Sequence, residues 1–139
     1  DEAKKRIFAW LYNPESKDRL SNGAYNRSAV VKKYYSDGQV KTFFDRTIPS
    51  DDHHALNYIV QSTTSDLLLK RAIEIVKLLH GRKSYIAFTL HDSIIIDYAN
   101  EDSALLCQAV DTFKATDLGE FVANVSVGKN FGNMKRLKV

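Results

Sequence analysis

The sequence predicts an α+β fold, on three observations: an apolar pattern of helical period over residues 1–12, a longer one over about 53–79, and two β-rich runs, 85–90 and 93–98, separated by only two residues. In the first pattern Ala3, Ile7, Trp10 and Leu11 recur at helical spacing, and Asn13-Pro14 ends it because proline disfavours helix in the residue before it. No capping residue precedes Asp1, so the chain is expected to begin inside a helix and to lack an N-terminal portion. From Pro14 to about Asn26 the composition is polar and reads as irregular, with Ser21-Asn22-Gly23 as a turn, before a short apolar patch at Ala29 to Tyr35. Asp37-Gly38 marks the next turn. Val40, Thr42 and Phe44 then alternate with Lys41, Phe43 and Asp45 as a short strand or extended segment that Pro49 closes.

Ser50-Asp51-Asp52 supply cap-type residues and negative charge at the start of the long helix. Its core stripe is expected at Leu56, Val60, Thr63, Leu67, Ala72, Ile73, Val76 and Leu79, and Gly81 stops it. Tyr85 to Leu90 and Ser93 to Tyr98 form a hairpin about His91-Asp92. Asn100 to Asp102 cap a further helix that faces Leu106, Ala109, Val110 and Phe113 inward, and Phe121 to Val127 alternate as a closing strand. Beyond Gly128, Lys129, Lys135, Arg136 and Lys138 meet no acid.

A chain of 139 residues, 44% of them hydrophobic, can bury one modest core and is typical of a single domain. The net charge of +3 comes from 20 basic and 17 acidic residues, which permits polyanion binding but describes no basic arm. The lone Cys107 has no disulfide partner and no zinc-site neighbours, which fits a reducing, cytoplasmic setting with the thiol in the core. No apolar run reaches the roughly 18 residues of a membrane span, so no membrane partner is expected.

Three sets of residues carry chemistry. At the hairpin tip, a two-residue loop prefers Asn-Gly or glycine-rich pairs, yet His91 and Asp92 occupy it. An aspartate fixed by strands suits Mg2+ beside a phosphate, whereas a plain polar turn explains the same residues. On the first helix Lys4, Phe8 and Tyr12 stand at i, i+4 and i+8, apart from the apolar stripe. They offer a cation for a triphosphate and two aromatic faces for base and sugar, though such spacing also occurs in ordinary helices. His53, Asn57 and Gln61 repeat the spacing over about 12 Å of helix. A row of donors there can test base pairs through minor-groove acceptors without reading identity, against the plainer reading of a solvated face.

Taken in order, these sets resemble the family A DNA polymerases, the bacterial polymerase I-like group, and its phage-type members above all. Lys4-x-x-x-Phe8-x-x-x-Tyr12 is similar to the fingers-helix motif B, His53 through Gln61-Ser62 to the long palm helix, and Leu90-His91-Asp92-Ser93-Ile94 to motif C. The segment Gly38 to Arg46 resembles the join from fingers to palm. Val125-Ser-Val-Gly128 with Phe131-Gly132 resembles the terminal strand and tail. The resemblance implies a partial fingers subdomain over 1–37 and the C-terminal part of a palm over 38–139, with a small antiparallel sheet packed by helices. It implies that Lys4 holds the incoming dNTP while Phe8 and Tyr12 contact its sugar and the nascent pair. Arg46, His53, Asn57 and Gln61 would meet primer-template DNA, His91 would lie near the primer end, and Asp92 would be one of two Mg2+-binding aspartates.

The sequence departs from the family at Asn13, where glycine is usual, at Ser93, where glutamate is usual, and at His53, where many bacterial members carry arginine. The connection from Tyr12 to Gly38 is short for the family. Two-metal phosphoryl transfer needs carboxylates clamping ions roughly 3.5–4 Å apart, and the family draws its second carboxylate from motif A, upstream of motif B. This chain alone is therefore expected not to polymerise, and its partner would be the N-terminal polymerase portion or a separate subunit. The alternatives are one subunit of a split polymerase, a non-catalytic nucleic-acid-binding domain of polymerase-like fold, and an unrelated hairpin protein.

Overall fold

The computed structural model describes residues 2–13 and 15–137. Asp1, Pro14, Lys138 and Val139 lie outside the described residues, and with them the expected helix start, the proline stop and one tail cation. The fold is α+β, built from small antiparallel sheets packed by helices. Two compact units divide it, one running to Thr64 and one from Ser65, whereas the resemblance draws its subdomain line at 37/38. The first boundary follows packing and falls inside a helix.

In the first unit, helix α1 covers Glu2–Tyr12 as its spacing predicts. Its buried residue is Trp10, while Ala3 and Ile7 of the expected stripe are exposed and Leu11 is half-buried. Two residues further along the chain hold Trp10: Asn22, whose Oδ1 accepts from the indole Nε1 at 2.6 Å, and Arg27, whose guanidinium lies 5.3 Å from the ring. Arg27 also donates to the carbonyls of Trp10, Leu11 and Asn13 at 2.9–3.2 Å, satisfying backbone groups that a helix end leaves unpaired. Partial burial lowers the Arg27 pKa.

The stretch expected to be irregular holds helix α2, Arg19–Ala24, so Ser21-Asn22-Gly23 is helical rather than a turn. Asp18 caps it by accepting from Leu20 N at 3.0 Å, and Arg6 beside that carboxylate holds its pKa below the usual range. Helix α3, Arg27–Tyr34, is capped by Asn26 through Ala29 N. A shallow groove of about 370 Å³ between α1 and α2 is lined by Ala3, Ile7, Leu20 and Tyr25 among others, off the Lys4–Phe8–Tyr12 stripe.

Strands β1 (Tyr35–Ser36), β2 (Gln39–Lys41) and β3 (Thr47–Pro49) form one antiparallel sheet with β2 central. Asp37 and Gly38 both take positive φ, 51° and 74°, the geometry a two-residue hairpin demands. The expected strand through Phe44 breaks at Thr42, whose N–H donates to Arg46 O at 2.8 Å to close a turn. Pro49 sits in edge strand β3 opposite Gln39, where its missing N–H costs no ladder bond. Val40, Ala55 and Ile59 form this unit's core, with Val30, Val31, Tyr34, Tyr35 and Ile48 against it.

Helix α4 spans Ala55–Leu78 and crosses from one unit into the other. Leu56, Thr63, Leu67, Ala72 and Leu79 are buried as expected, but Val60, Ile73 and Val76 are exposed and Ile59 and Ile75 take their places. Gly81 follows with φ 73°, a conformation glycine enters freely.

The second unit adds β4 (Tyr85–Leu90) and β5 (Ser93–Asp97), paired as the expected hairpin. A 3-10 turn at Asn100–Asp102 leads into α5, Ser103–Lys114. Asp102 does not cap α5 with its side chain. Its carboxylate accepts from the buried Ser84 N–H at 2.8 Å, which lowers its pKa. The core joins Ile75, Leu79 and Ala109 to Leu78, Ile86, Ile94, Ile96, Leu105 and Phe113. Cys107 is exposed, contrary to expectation, because it lies two residues, or about 200° of helix, beyond the inward Leu105. The short pair β6 (Ala115–Thr116) and β7 (Gly119–Glu120) follows α5. The strand expected at Phe121 to Val127 is reduced to β8, Val125–Val127, since Phe121 N–H instead bonds Lys114 O beside β6–β7. β8 pairs with β9, Lys135–Leu137, which the sequence did not reveal.

Candidate nucleotide and nucleic-acid site

On α1 the 3.6-residue turn sets Lys4, Phe8 and Tyr12 one above another on an exposed face. Lys4 Nζ lies 5.8 Å from the Phe8 ring centre, and the Phe8 and Tyr12 rings are 6.2 Å apart at 13°. Both rings are nearly half exposed, 45% and 51%, so they offer flat surface to a ligand. Arg27, by holding the carbonyls at the end of α1, fixes the direction from which Tyr12 projects.

Within the same unit the third set reaches this stripe. Gln61 Nε2 donates to the Tyr12 hydroxyl oxygen at 2.9 Å and to Asn57 Oδ1 at 2.9 Å. Two sets that lie 49 residues apart in sequence thus form one hydrogen-bonded row. Both Gln61 amide hydrogens are committed, so the row shows solvent the Tyr12 O–H, the Asn57 amide group and the Gln61 carbonyl rather than an unbroken line of donors. Arg46 docks beside Gln61, its Nη2 donating to the carbonyl of the adjacent Ser62 at 3.2 Å. Its backbone is fixed by Thr42, which is buried, with Asp45 at φ 65° allowing the tight return.

His53 does not share the helical face of Asn57 and Gln61. It lies in the turn before α4, its ring 4.9 Å from that of His54. Sequence reasoning passed over His54, whose Nδ1 is 2.8 Å from the Asp51 carboxylate and whose ring stacks on Tyr58. That contact holds the Asp51 pKa below its usual range. Arg27 was also missed.

In the second unit the hairpin tip has its two-residue loop, with Leu90 paired to Ser93. His91 takes φ 52° while Asp92 does not share it, so the second-best turn chemistry is carried by the histidine. Asp92 is exposed, and its Oδ1 accepts from Ser93 Oγ at a long 3.4 Å. Asp97 sits at the far end of β5, roughly 16 Å of strand away, where it accepts from the Tyr85 hydroxyl at 2.9 Å and raises that phenol's pKa. Asp97 therefore cannot share an ion with Asp92. Among the described residues no three His, Cys, Asp or Glu side chains converge on a common point.

Comparison with known proteins gives no match for this chain to any family model, curated protein or solved structure. The described residues include no helix long and apolar enough to cross a membrane.

Proposed function

We propose that this chain is the C-terminal catalytic part of a family A DNA polymerase, which extends a primer on a template from dNTPs once residues outside this sequence supply a second carboxylate. What carries the reading is the bond from Gln61 to Tyr12. The residues suited to holding a nucleotide and those suited to testing a duplex adjoin in one unit, as a site that must judge a nascent base pair requires.

Lys4 pairs its ammonium with the triphosphate, while Phe8 and Tyr12 stack against base and sugar. Asn57, Gln61 and Arg46 track the primer-template, while His53, in the turn before α4, and His91, at the hairpin tip of the second unit, are DNA contacts outside that row. For Gln61 to donate to a minor-groove acceptor it must first release Tyr12 or Asn57, so duplex binding and Tyr12 are coupled. Asp92, a lone carboxylate on a stiff turn, fits Mg2+, an ion that takes one or two protein carboxylates and fills its shell with phosphate oxygens and water. In the transfer, the primer 3′-oxygen bonds to the α-phosphorus as the bond to pyrophosphate breaks.

Binding of dATP with Mg2+ and of a primer-template duplex, measured separately on this chain, tests the reading. Lys4→Ala should weaken dATP roughly tenfold and the duplex little, whereas Asn57→Ala with Gln61→Ala should do the reverse. Equal dATP affinity for the parent and Lys4→Ala would remove the nucleotide role from α1. Primer extension after complementation with a polypeptide bearing the second carboxylate should fall to background in Asp92→Ala.

A further inference from the structure

The β4–β5 hairpin carries a feature that the nucleotide and duplex site does not use. Its register slips between Ile86 and Phe88, so Ala87 is an extra residue on β4. Without the slip, Ile86, Phe88 and Leu90 would share one face. With it, Ile86 pairs Ile96 and Thr89 pairs Ile94 on the core side, while Phe88 pairs Ile95 and Leu90 pairs Ser93 on the other. The bulge thus turns Phe88 and Leu90 outward, where they are 45% and 46% exposed.

Phe131, 62% exposed, lies 6.1 Å from Phe88 with the rings tilted by 35°. It belongs to a short 3-10 turn between β8 and β9. That loop is tightly closed: a Cβ on Gly128 would come within 2.6 Å of Asn133 O, so only glycine allows the approach. Phe131 therefore projects from a closely packed loop. Phe131 is flanked along the chain by exposed Lys129, Lys135 and Arg136, and no Asp or Glu occurs after Glu120. Exposed aromatic faces within an acid-free, basic segment match the two needs of a single-stranded nucleic acid, stacking for its bases and cations for its phosphates.

We propose that Phe88 and Phe131 form a stacking platform for single-stranded nucleic acid, served by the cations of the surrounding segment: Lys129 and, on opposite faces of β9, Lys135 and Arg136, whose Nη2 also donates to Asn124 Oδ1 at 2.6 Å. Every residue of the platform lies in the second unit, so it stands or falls apart from the nucleotide stripe on α1.

Fluorescence anisotropy with a dye-labelled twelve-nucleotide oligo(dT) and an abasic strand of equal length and charge tests it at low salt. Oligo(dT) should bind the parent chain roughly tenfold tighter than the abasic strand. Phe131→Ala should erase that difference without changing abasic binding, and Phe131→Tyr should restore it. Joint replacement of Lys129, Lys135 and Arg136 by Ala should weaken both strands and flatten the salt dependence. Circular dichroism confirms that each variant keeps its fold. Equal binding of the two strands by the parent, or an oligo(dT) affinity indifferent to Phe131→Ala, overturns the platform. Binding of neither strand overturns it as well and leaves the apolar face to a protein partner. Lys4→Ala should leave the oligo(dT) preference intact, which separates this result from the fate of the polymerase reading.

Discussion

The two units hold their candidate residues by different means. In the first, side chains hold side chains: Gln61 is bonded to Tyr12 and Asn57, while Arg27 grips the end of α1. In the second, Asp92 and His91 are placed by the backbone of a hairpin, and the side-chain hydrogen bond from Ser93 to Asp92 is long. A hydrogen-bonded row can be rearranged by a ligand that offers better partners. A strand-held carboxylate keeps its position whichever ligand is present. The first arrangement suits a surface that must test what it binds, and the second suits a fixed charge.

The sharpest test of that division asks whether each unit depends on its own core. Ile59 and Ile75 are buried to similar degrees in α4, one in each cluster. Replacing either by Ala should cost about 2–5 kcal/mol from lost burial and the cavity left behind. Native-state hydrogen exchange should show the Ile59 variant losing protection first in β1–β3, and the Ile75 variant first in β4–β5. Uniform loss in both variants would make the chain one cooperative body.

That pair also shows where the sequence was legible. The turn at Asp37-Gly38, the hairpin at His91-Asp92 and the span of α1 were legible, because turn chemistry and short-range spacing act locally. The buried face of α4 was not, because apolar residues occupy adjacent positions at Ile59-Val60 and Ile75-Val76, and periodicity cannot choose between them without the partner surface. Helix α2 was missed because its six residues are held by tertiary bonds, above all Asn22 to the Trp10 indole, against their own weak propensity. The candidate row was legible as two separate sets of residues. Its junction at Tyr12 and Gln61 was not, since contacts between distant segments leave no periodic trace.

A smaller effect should separate the units by pH. Asp102 accepts the buried Ser84 N–H in the second unit, and its folded pKa lies below the ordinary value. A depressed carboxylate stabilises the fold fully above its unfolded pKa, about 4, and that contribution fades as pH falls through the folded value. Amides of Ser84 and β4 should therefore lose exchange protection on acidification below about pH 4. Asp102→Asn should lower the melting temperature by several degrees at pH 7 and remove most of this acid sensitivity. An unchanged pH profile in the variant would place the acid-labile contact elsewhere.

The smallest expected change is also the most specific to the first unit. Tyr12→Phe keeps the ring against Phe8 and deletes only the oxygen that accepts from Gln61. Because that oxygen is exposed, the stability cost should stay under about 1 kcal/mol, and the end of α1 should remain held by Arg27. The freed Gln61 hydrogen becomes available to a minor-groove acceptor, so duplex affinity should hold or rise even as the nucleotide stripe loses its link to the row. The side-chain amide resonances of Gln61 report the change directly: in Tyr12→Phe one should move toward its solvent-exposed position before DNA is added, and the shift produced by DNA should shrink. If the Gln61 amide signals are the same in both proteins, Tyr12 and Gln61 are not coupled in solution, and the first unit holds its residues no more adaptively than the hairpin does.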